Sequence, residues 1–274
     1  MLRTSPLFLI VALVIAGMHQ TAFADVTLPV HIPAIRPVLE VPNTTLTPRV
    51  DASADDPAWA SAAVVDSLGL ALDSPAPEVA LPTNVKLLWD ADYLYVRFEV
   101  GGKLLPYGNI HGHDADLASE DCVGILIDPR GVGAHWLEIL ATPSNDIRDE
   151  AFWVTGTAQS DDVFRLVDGV IAHQLKREPG WNVDGLRSLA VATPTGWRLD
   201  MAIPATTILG TLEMTQFTPS TSVRANFLRY DYSPTAQGLM RVALDWAPVP
   251  AGAEDLSPQG MGFLRLETTT PQAK

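Results

Sequence analysis

The sequence is poor in cysteine, in positive charge, in helical periodicity and in catalytic signatures, and each shortage excludes something. One cysteine, Cys122, stands in 274 residues. No internal disulfide can form, so the fold must rest on an apolar core, and a hydrophobic content of 47% supplies the material for one. Cys122 sits in an apolar run and reads as an inert packing residue, with a reactive thiol as the alternative. Lysine and arginine number 18 against 32 acidic residues, a formal charge of −14. That balance argues against nucleic acid and anionic membranes as partners and suits a soluble protein that meets neutral or cationic ligands. No stretch carries a sustained helical apolar repeat. No Gly-x-Ser-x-Gly elbow, Walker loop or His-Glu-x-x-His pattern is present. The acid pairs Glu120/Asp121 and Asp149/Glu150 are adjacent in the chain. On strands, neighbours point to opposite faces, so neither pair can flank a glycosidic bond from one side.

Long apolar runs are scarce too. The run from Leu7 to Ala16 follows Met1-Leu2-Arg3 and precedes Ala22-Phe23-Ala24. This is the anatomy of a secretory signal peptide over residues 1–24, cleaved before Asp25. The run is short for a membrane span, which needs about 20 apolar residues. No cysteine follows it to take a lipid. The expectation is an exported protein, periplasmic or extracellular, with a retained anchor as the alternative and no membrane span after cleavage.

What is present is a β pattern. Residues 25–48, with five prolines, read as an extended lead-in with room for one edge strand. From there to residue 268 the chain reads as one domain, and 269–274 is a tail. Val85, Leu87 and Trp89 share one face of a strand, and Asp90-Ala91-Asp92 is a turn. Leu94, Val96, Phe98 and Val100 then face one way, with Tyr93, Tyr95, Arg97 and Glu99 facing the other, which makes a hairpin. Further strands are expected at 121–128, 136–141, 147–154, 186–193, 197–203, 223–230 and 263–267, with a helical turn at 205–209. Many short strands between Gly/Pro turns predict an all-β, antiparallel β-sandwich of jelly-roll or immunoglobulin-like type with little helix.

Three groups of residues are candidates for chemistry. His111, His113, Asp114 and Asp116 fall in one short stretch, His111-Gly112-His113-Asp114-Ala115-Asp116. Imidazole suits zinc or copper and carboxylate suits calcium, so this is either a metal loop or a solvated one. Trp136, Trp153, Trp181 and Trp246 lie at strand ends or loops, where a flat ring can stack on a sugar or simply pack. Trp153 and Trp181, near Arg148 and Asp149, are the first candidates for a glycan platform. Tyr95, Arg97 and Glu99, on the outward side of their strand, are either ligand contacts or a solvated sheet face. Trp89 and Trp197 alternate with apolar partners and read as core.

Several of these segments resemble a known family. Val85-Lys86-Leu87-Leu88-Trp89-Asp90-Ala91-Asp92-Tyr93-Leu94-Tyr95-Val96 is similar to the first core hairpin of the family 9 carbohydrate-binding modules and their DOMON-like relatives. Glu120-Asp121-Cys122-Val123 through Ile127-Asp128-Pro129 resembles the next strand, and Trp136-Leu137-Glu138-Ile139 with Pro143 and Asn145 the one after it. Gly196-Trp197 with Ala202-Ile203-Pro204 resembles a later strand. Asn226, Asp231, Trp246, Gly262, Leu264 and Leu266 resemble the closing segments. In order, these cover about residues 50–267.

The resemblance implies a jelly-roll-like sandwich, often calcium-stabilised, that binds a glycan or polysaccharide and works beside polysaccharide-degrading enzymes. It also implies a clamp of two tryptophans, a glutamate and an arginine. At those four positions this chain has Ala118, Asp255, Gly124 and Leu140, so the usual clamp is expected to be missing and any sugar site relocated. The alternatives are a haem-binding or electron-transfer DOMON-like domain drawing on His111, His113, His135, Met201 or Met240, a hydrolase, or a structural partner in the cell envelope.

Overall fold

Alternation of apolar and polar side chains sets the strands. The computed structural model describes residues 36–71, 74–102, 106–157, 173–236, 238–247 and 258–268. The expected signal peptide at 1–24 and the tail at 269–274 lie outside the described residues. In chain order the strands are β1 (Val38–Pro42), β2 (Ala63–Val65), β3 (Gly69–Leu70), β4 (Thr83–Trp89) and β5 (Tyr93–Gly101). Then come β6 (Cys122–Asp128), β7 (His135–Ala141), β8 (Ile147–Thr157), β9 (His173–Glu178) and β10 (Arg187–Thr193). The last are β11 (Gly196–Pro204), β12 (Ser222–Thr235), β13 (Gly238–Asp245) and β14 (Gly262–Glu267). A five-residue helix, α1 (Ala205–Leu209), follows β11. Among the described residues no helix is long and apolar enough to cross a membrane.

The strands form two sheets. Nine lie in one, ordered β1-β14-β12-β6-β7-β8-β9, with β13 beside the second half of β12 and β3 beside β13. Five lie in the other, ordered β10-β11-β5-β4-β2. All pairings are antiparallel except β1 with β14, so part of the lead-in serves as an edge strand. The inner faces meet in one core. Val85, Leu87, Leu94, Val96, Phe98, Leu199 and Met201 from the smaller sheet face Val123, Ile125, Ile127, Ile139 and Phe227 from the larger. Phe98 and Phe227 meet edge to face at 6.2 Å. Each such burial stabilises the fold by roughly 1.5–3 kcal/mol, which is how a chain without disulfides holds together. β13 adds to the expected strands: Val242 and Leu244 turn into this core while Ala243 joins a second cluster on the outer side.

The outer face of the smaller sheet corrects an expectation. Tyr95 and Arg97 point outward but are only 1% and 2% exposed. The segment before β2 folds over them. Asp56 caps a 3-10 turn at Pro57–Ser61, and that turn sets Trp59 over the Arg97 guanidinium at 4.6 Å. Arg97 makes a two-point ion pair with Asp200, Nε to Oδ1 at 2.6 Å and Nη2 to Oδ2 at 2.8 Å. Asp200 Oδ2 also accepts from the Ala52 amide at 2.8 Å, and the Tyr95 hydroxyl donates to Asp90 at 2.7 Å. Both side chains are therefore structural and unavailable to a ligand. Alternation along β5 reports a face, and only the distant segment that packs there decides whether solvent reaches it.

Candidate functional site

The outer face of the larger sheet holds Gly124, Leu140 and Ala118, three of the four positions at which the resemblance implies a clamp. Gly124 on β6 pairs in register with Leu140 on β7. A Cβ at Gly124 would lie 2.4 Å from Leu140 Cδ2 and 2.5 Å from the Ile139 carbonyl oxygen. Leu140 thus fills the space that a side chain at 124 would need. Ala118 packs against the same apolar cluster, which includes Leu126, Leu140, Trp136 and Phe152. Trp136 is 4% exposed and stacks on Phe152 at 5.3 Å with the rings parallel, so it packs rather than offering a free face. Asp255 lies outside the described residues. Cys122 is buried in this cluster, and burial pushes its thiol far above the usual range, consistent with a packing role.

One strand further out, the charged groups gather. Arg148 on β8 stands opposite Leu140 on the same face and donates to Glu138 at 2.6 Å. Arg148 also lies 3.2 Å from Glu150, which accepts from Arg177 at 2.6 Å. Glu138 is wholly buried, and burial holds its carboxyl above the usual range against the pull of Arg148. Asp116 reaches Arg148 from the loop side at 3.3 Å. Arg148 is thus committed to carboxylates.

At the end of the sandwich the two sheets leave a cleft of about 250 Å³. It is lined by Pro106, Tyr107 and Gly108, by Glu120 and Asp121, by Thr142, Pro143 and Ser144 at the β7–β8 turn, and by Ala192, Gly196 and Trp197 of β10 and β11. The two acids hold the Tyr107 segment. Asp121 accepts from the Tyr107 amide at 2.7 Å and the Tyr232 amide at 2.6 Å, and Glu120 accepts from the amides of Asn109 and Ile110. Tyr107 packs on Tyr232 with ring centres 6.1 Å apart, and the Tyr232 hydroxyl donates to the Ala118 carbonyl at 2.7 Å. Through Tyr107 and Tyr232 the cleft therefore adjoins Ala118. Tyr107 was missed at the sequence level because Pro106-Tyr107-Gly108 carries no periodic signal. The available clue was an aromatic between Pro and Gly ahead of the paired acids.

The His-Gly-His-Asp stretch divides between two partners. His111 Nδ1 lies 3.0 Å from Asp146, and the Gly112 amide donates to the same carboxylate at 2.9 Å. His113 instead bridges Asp114, 3.1 Å from Nδ1, and Asp149, 3.2 Å from Nε2. Among the described residues, His113, Asp114 and Asp149 are the one group whose ligand atoms all lie within 4.8 Å of one another. His111 and Asp116 are not part of it. An imidazole beside two carboxylates does not fit calcium, which takes six to eight oxygens.

The platform expected at Trp153, Trp181, Arg148 and Asp149 is split by the strand. Arg148 points to the outer face, while Asp149 points inward and accepts from the Val183 amide at 2.5 Å. Trp153 stacks on His135 at 3.7 Å and donates to Glu178 at 3.3 Å. The Trp181 amide donates to the Glu178 carbonyl at 3.1 Å, and its ring packs partly on the core. Trp246 packs on Phe227 at 5.3 Å. Of the candidate haem ligands, His111 and His113 lie against carboxylates, His135 stacks on Trp153, Met201 is buried in the core between the sheets and Met240 packs partly against it.

Solved structures share this two-sheet sandwich. A family 9 module from Caldicellulosiruptor kristjanssonii in complex with glucose matches with a TM-score of 0.58 at 15% identity, over 87% of this chain and all of that one. The same kind of module from that organism in complex with cellotriose gives 0.53 at 14% identity, over 87% of this chain and 97% of that one. A Bacteroides uniformis protein whose name proposes carbohydrate binding gives 0.58 at 13% identity, over 85% of this chain and all of that one. The fold is thus that of the family 9 carbohydrate-binding modules. No protein-family model matches the sequence, and no curated protein does.

Proposed function

We propose that this chain is an exported, non-catalytic carbohydrate-binding module that takes the end of a glycan in the cleft beside Tyr107, and that it assists polysaccharide breakdown. The observation that carries the reading is the cleft itself. It is of a size for about one sugar ring, joins apolar walls at Tyr107 and Trp197 to polar groups at Thr142 and Ser144, and adjoins the clamp face of a fold solved elsewhere with glucose and cellotriose. The clamp positions favour a relocated site, because Leu140 fills the room above Gly124. A sugar presents C–H faces to a ring and hydroxyls to fixed polar atoms, and this wall offers both.

Affinity electrophoresis across a polysaccharide panel, followed by calorimetry with glucose and cellotriose, tests the reading. The wild-type protein is expected to be retarded on at least one glycan, and Tyr107→Ala to weaken that binding about two- to tenfold, in line with a ring contact of roughly 0.5–1.5 kcal/mol. A folded wild-type protein that moves unretarded through the whole panel overturns the proposal. A second reading places the glycan at the edge where Trp153 and Trp181 both contact Glu178. In that case Trp153→Ala, and not Tyr107→Ala, abolishes retardation.

A further inference from the structure

We propose that His113, Asp114 and Asp149 bind a divalent transition-metal ion, with zinc the best fit. The site does not depend on the glycan reading. Its anchor is Asp149, on the inward side of β8 with 1% of its side chain exposed. One oxygen, Oδ2, accepts from the Val183 amide at 2.5 Å. The other, Oδ1, has no hydrogen-bond partner and lies 3.2 Å from His113 Nε2. A buried carboxylate oxygen without a donor is costly, and a cation between it and the imidazole removes that cost.

The loop is built to hold the other two ligands there. Gly112 has φ +120°, a conformation that L side chains rarely adopt, and its amide is tied to Asp146. Asp114 is itself left-handed, with φ 62°, and its amide donates to the Ile147 carbonyl at 3.1 Å. Two hydrogen bonds therefore pin the turn to Asp146 and Ile147, where β8 begins, three and two residues before Asp149. His113 and Asp114 are 52% and 29% exposed on their side chains, so an ion can enter and keep water on its open side. One nitrogen and two oxygens suit zinc, with bonds of about 2.0–2.2 Å, and suit calcium poorly.

The experiment uses the untagged full chain. Zinc binding is read by calorimetry and by the rise in Tm, and cobalt(II) absorption reports an imidazole in the coordination sphere. The expected result is one equivalent of zinc, a zinc-dependent rise in Tm, and no such rise with calcium. His113→Ala and Asp114→Asn are expected to lose affinity at least tenfold while keeping the wild-type circular dichroism. His111→Ala and Asp116→Asn are expected to bind like the wild type. The proposal is overturned if the wild type takes up no zinc, if calcium gives the larger rise, or if His113→Ala binds as tightly as the wild type. Because His113 and Asp114 are partly exposed, their variants keep the test sound even if a change at Asp149 disturbs folding.

Discussion

Two fully buried aspartates show how differently one fold can treat the same side chain. Asp200, on the outer face of the smaller sheet, meets a guanidinium at two points and a backbone amide, and Trp59 closes the site over Arg97. Asp149, on β8, has one oxygen on a backbone amide and the other facing a half-exposed histidine with no hydrogen bond. Burial pushes its carboxyl above the usual range, with the Val183 amide and His113 pulling the other way. Asp200 is finished by the fold alone. Asp149 is finished only when something positive stands beside it. A buried charge that the protein fully pairs is architecture, and one that it leaves half paired at a solvent-facing loop marks a place for chemistry.

The contrast can be broken by substitution. The largest effect is expected at Asp200→Ala, which strands a buried arginine; a loss of about 3–5 kcal/mol in urea unfolding is expected for breaking such a pair. Asp149→Asn, without metal, should cost about 1 kcal/mol or less, since the remaining oxygen can still accept from Val183. Equal losses at the two positions would erase the distinction. Next comes Gly124→Ala on the outer face of the larger sheet. The new Cβ meets Leu140 and a backbone oxygen, and overpacking of this kind costs about 1–3 kcal/mol in thermal unfolding. Adding Leu140→Ala should not restore stability, because the Ile139 carbonyl stays in place and truncating a fully buried leucine itself costs about 2–5 kcal/mol.

A third buried polar group sharpens the comparison through pH. His135 is 6% exposed and both ring nitrogens lack hydrogen bonds. Burial lowers its pKa from 6.5 to about 4, with Arg130 adding to the effect. The unfolded chain takes up a proton that the folded chain refuses until lower pH. The contribution to stability is therefore intact above the unfolded value and is lost as pH falls from about 6.5 to about 4. The stability of the wild type relative to His135→Phe should fall as pH falls across that window, and a flat difference would place the titration elsewhere. The smallest effect is expected at Lys86–Glu99, a half-exposed pair at 3.1 Å on the same sheet as Asp200. Lys86→Ala should change stability by less than about 1 kcal/mol and depend on salt.

Much of the fold was legible because it is written in alternation. The β4–β5 hairpin, the buried run at β6 and the turn-linked β10–β11 pair each carry their own signal within ten residues or so. β13 carries the same alternation in Met240, Val242 and Leu244, but directly after the long β12 its start has no turn signal of its own. The sites were legible only in part, because they depend on which distant segment arrives. Nothing in Tyr95 and Arg97 announces that Trp59 will cover them. The spacing of His111 and His113 suggested a shared site, yet the turn at Gly112 sends one to Asp146 and the other to Asp149. Adjacent residues on β8 carried Arg148 and Asp149 to opposite faces, as the pleat requires, so they could not serve one platform.

The most direct test of the central claim, glycan binding beside Tyr107, is backbone NMR of the labelled protein titrated with cellotriose and with any glycan that retards it. Shift changes should cluster at residues 106–108, 142–144 and 192–197 and need a several-fold higher glycan concentration in Tyr107→Ala. Saturating changes centred on Trp153, Trp181 and Glu178 instead, or none with any glycan, would contradict it.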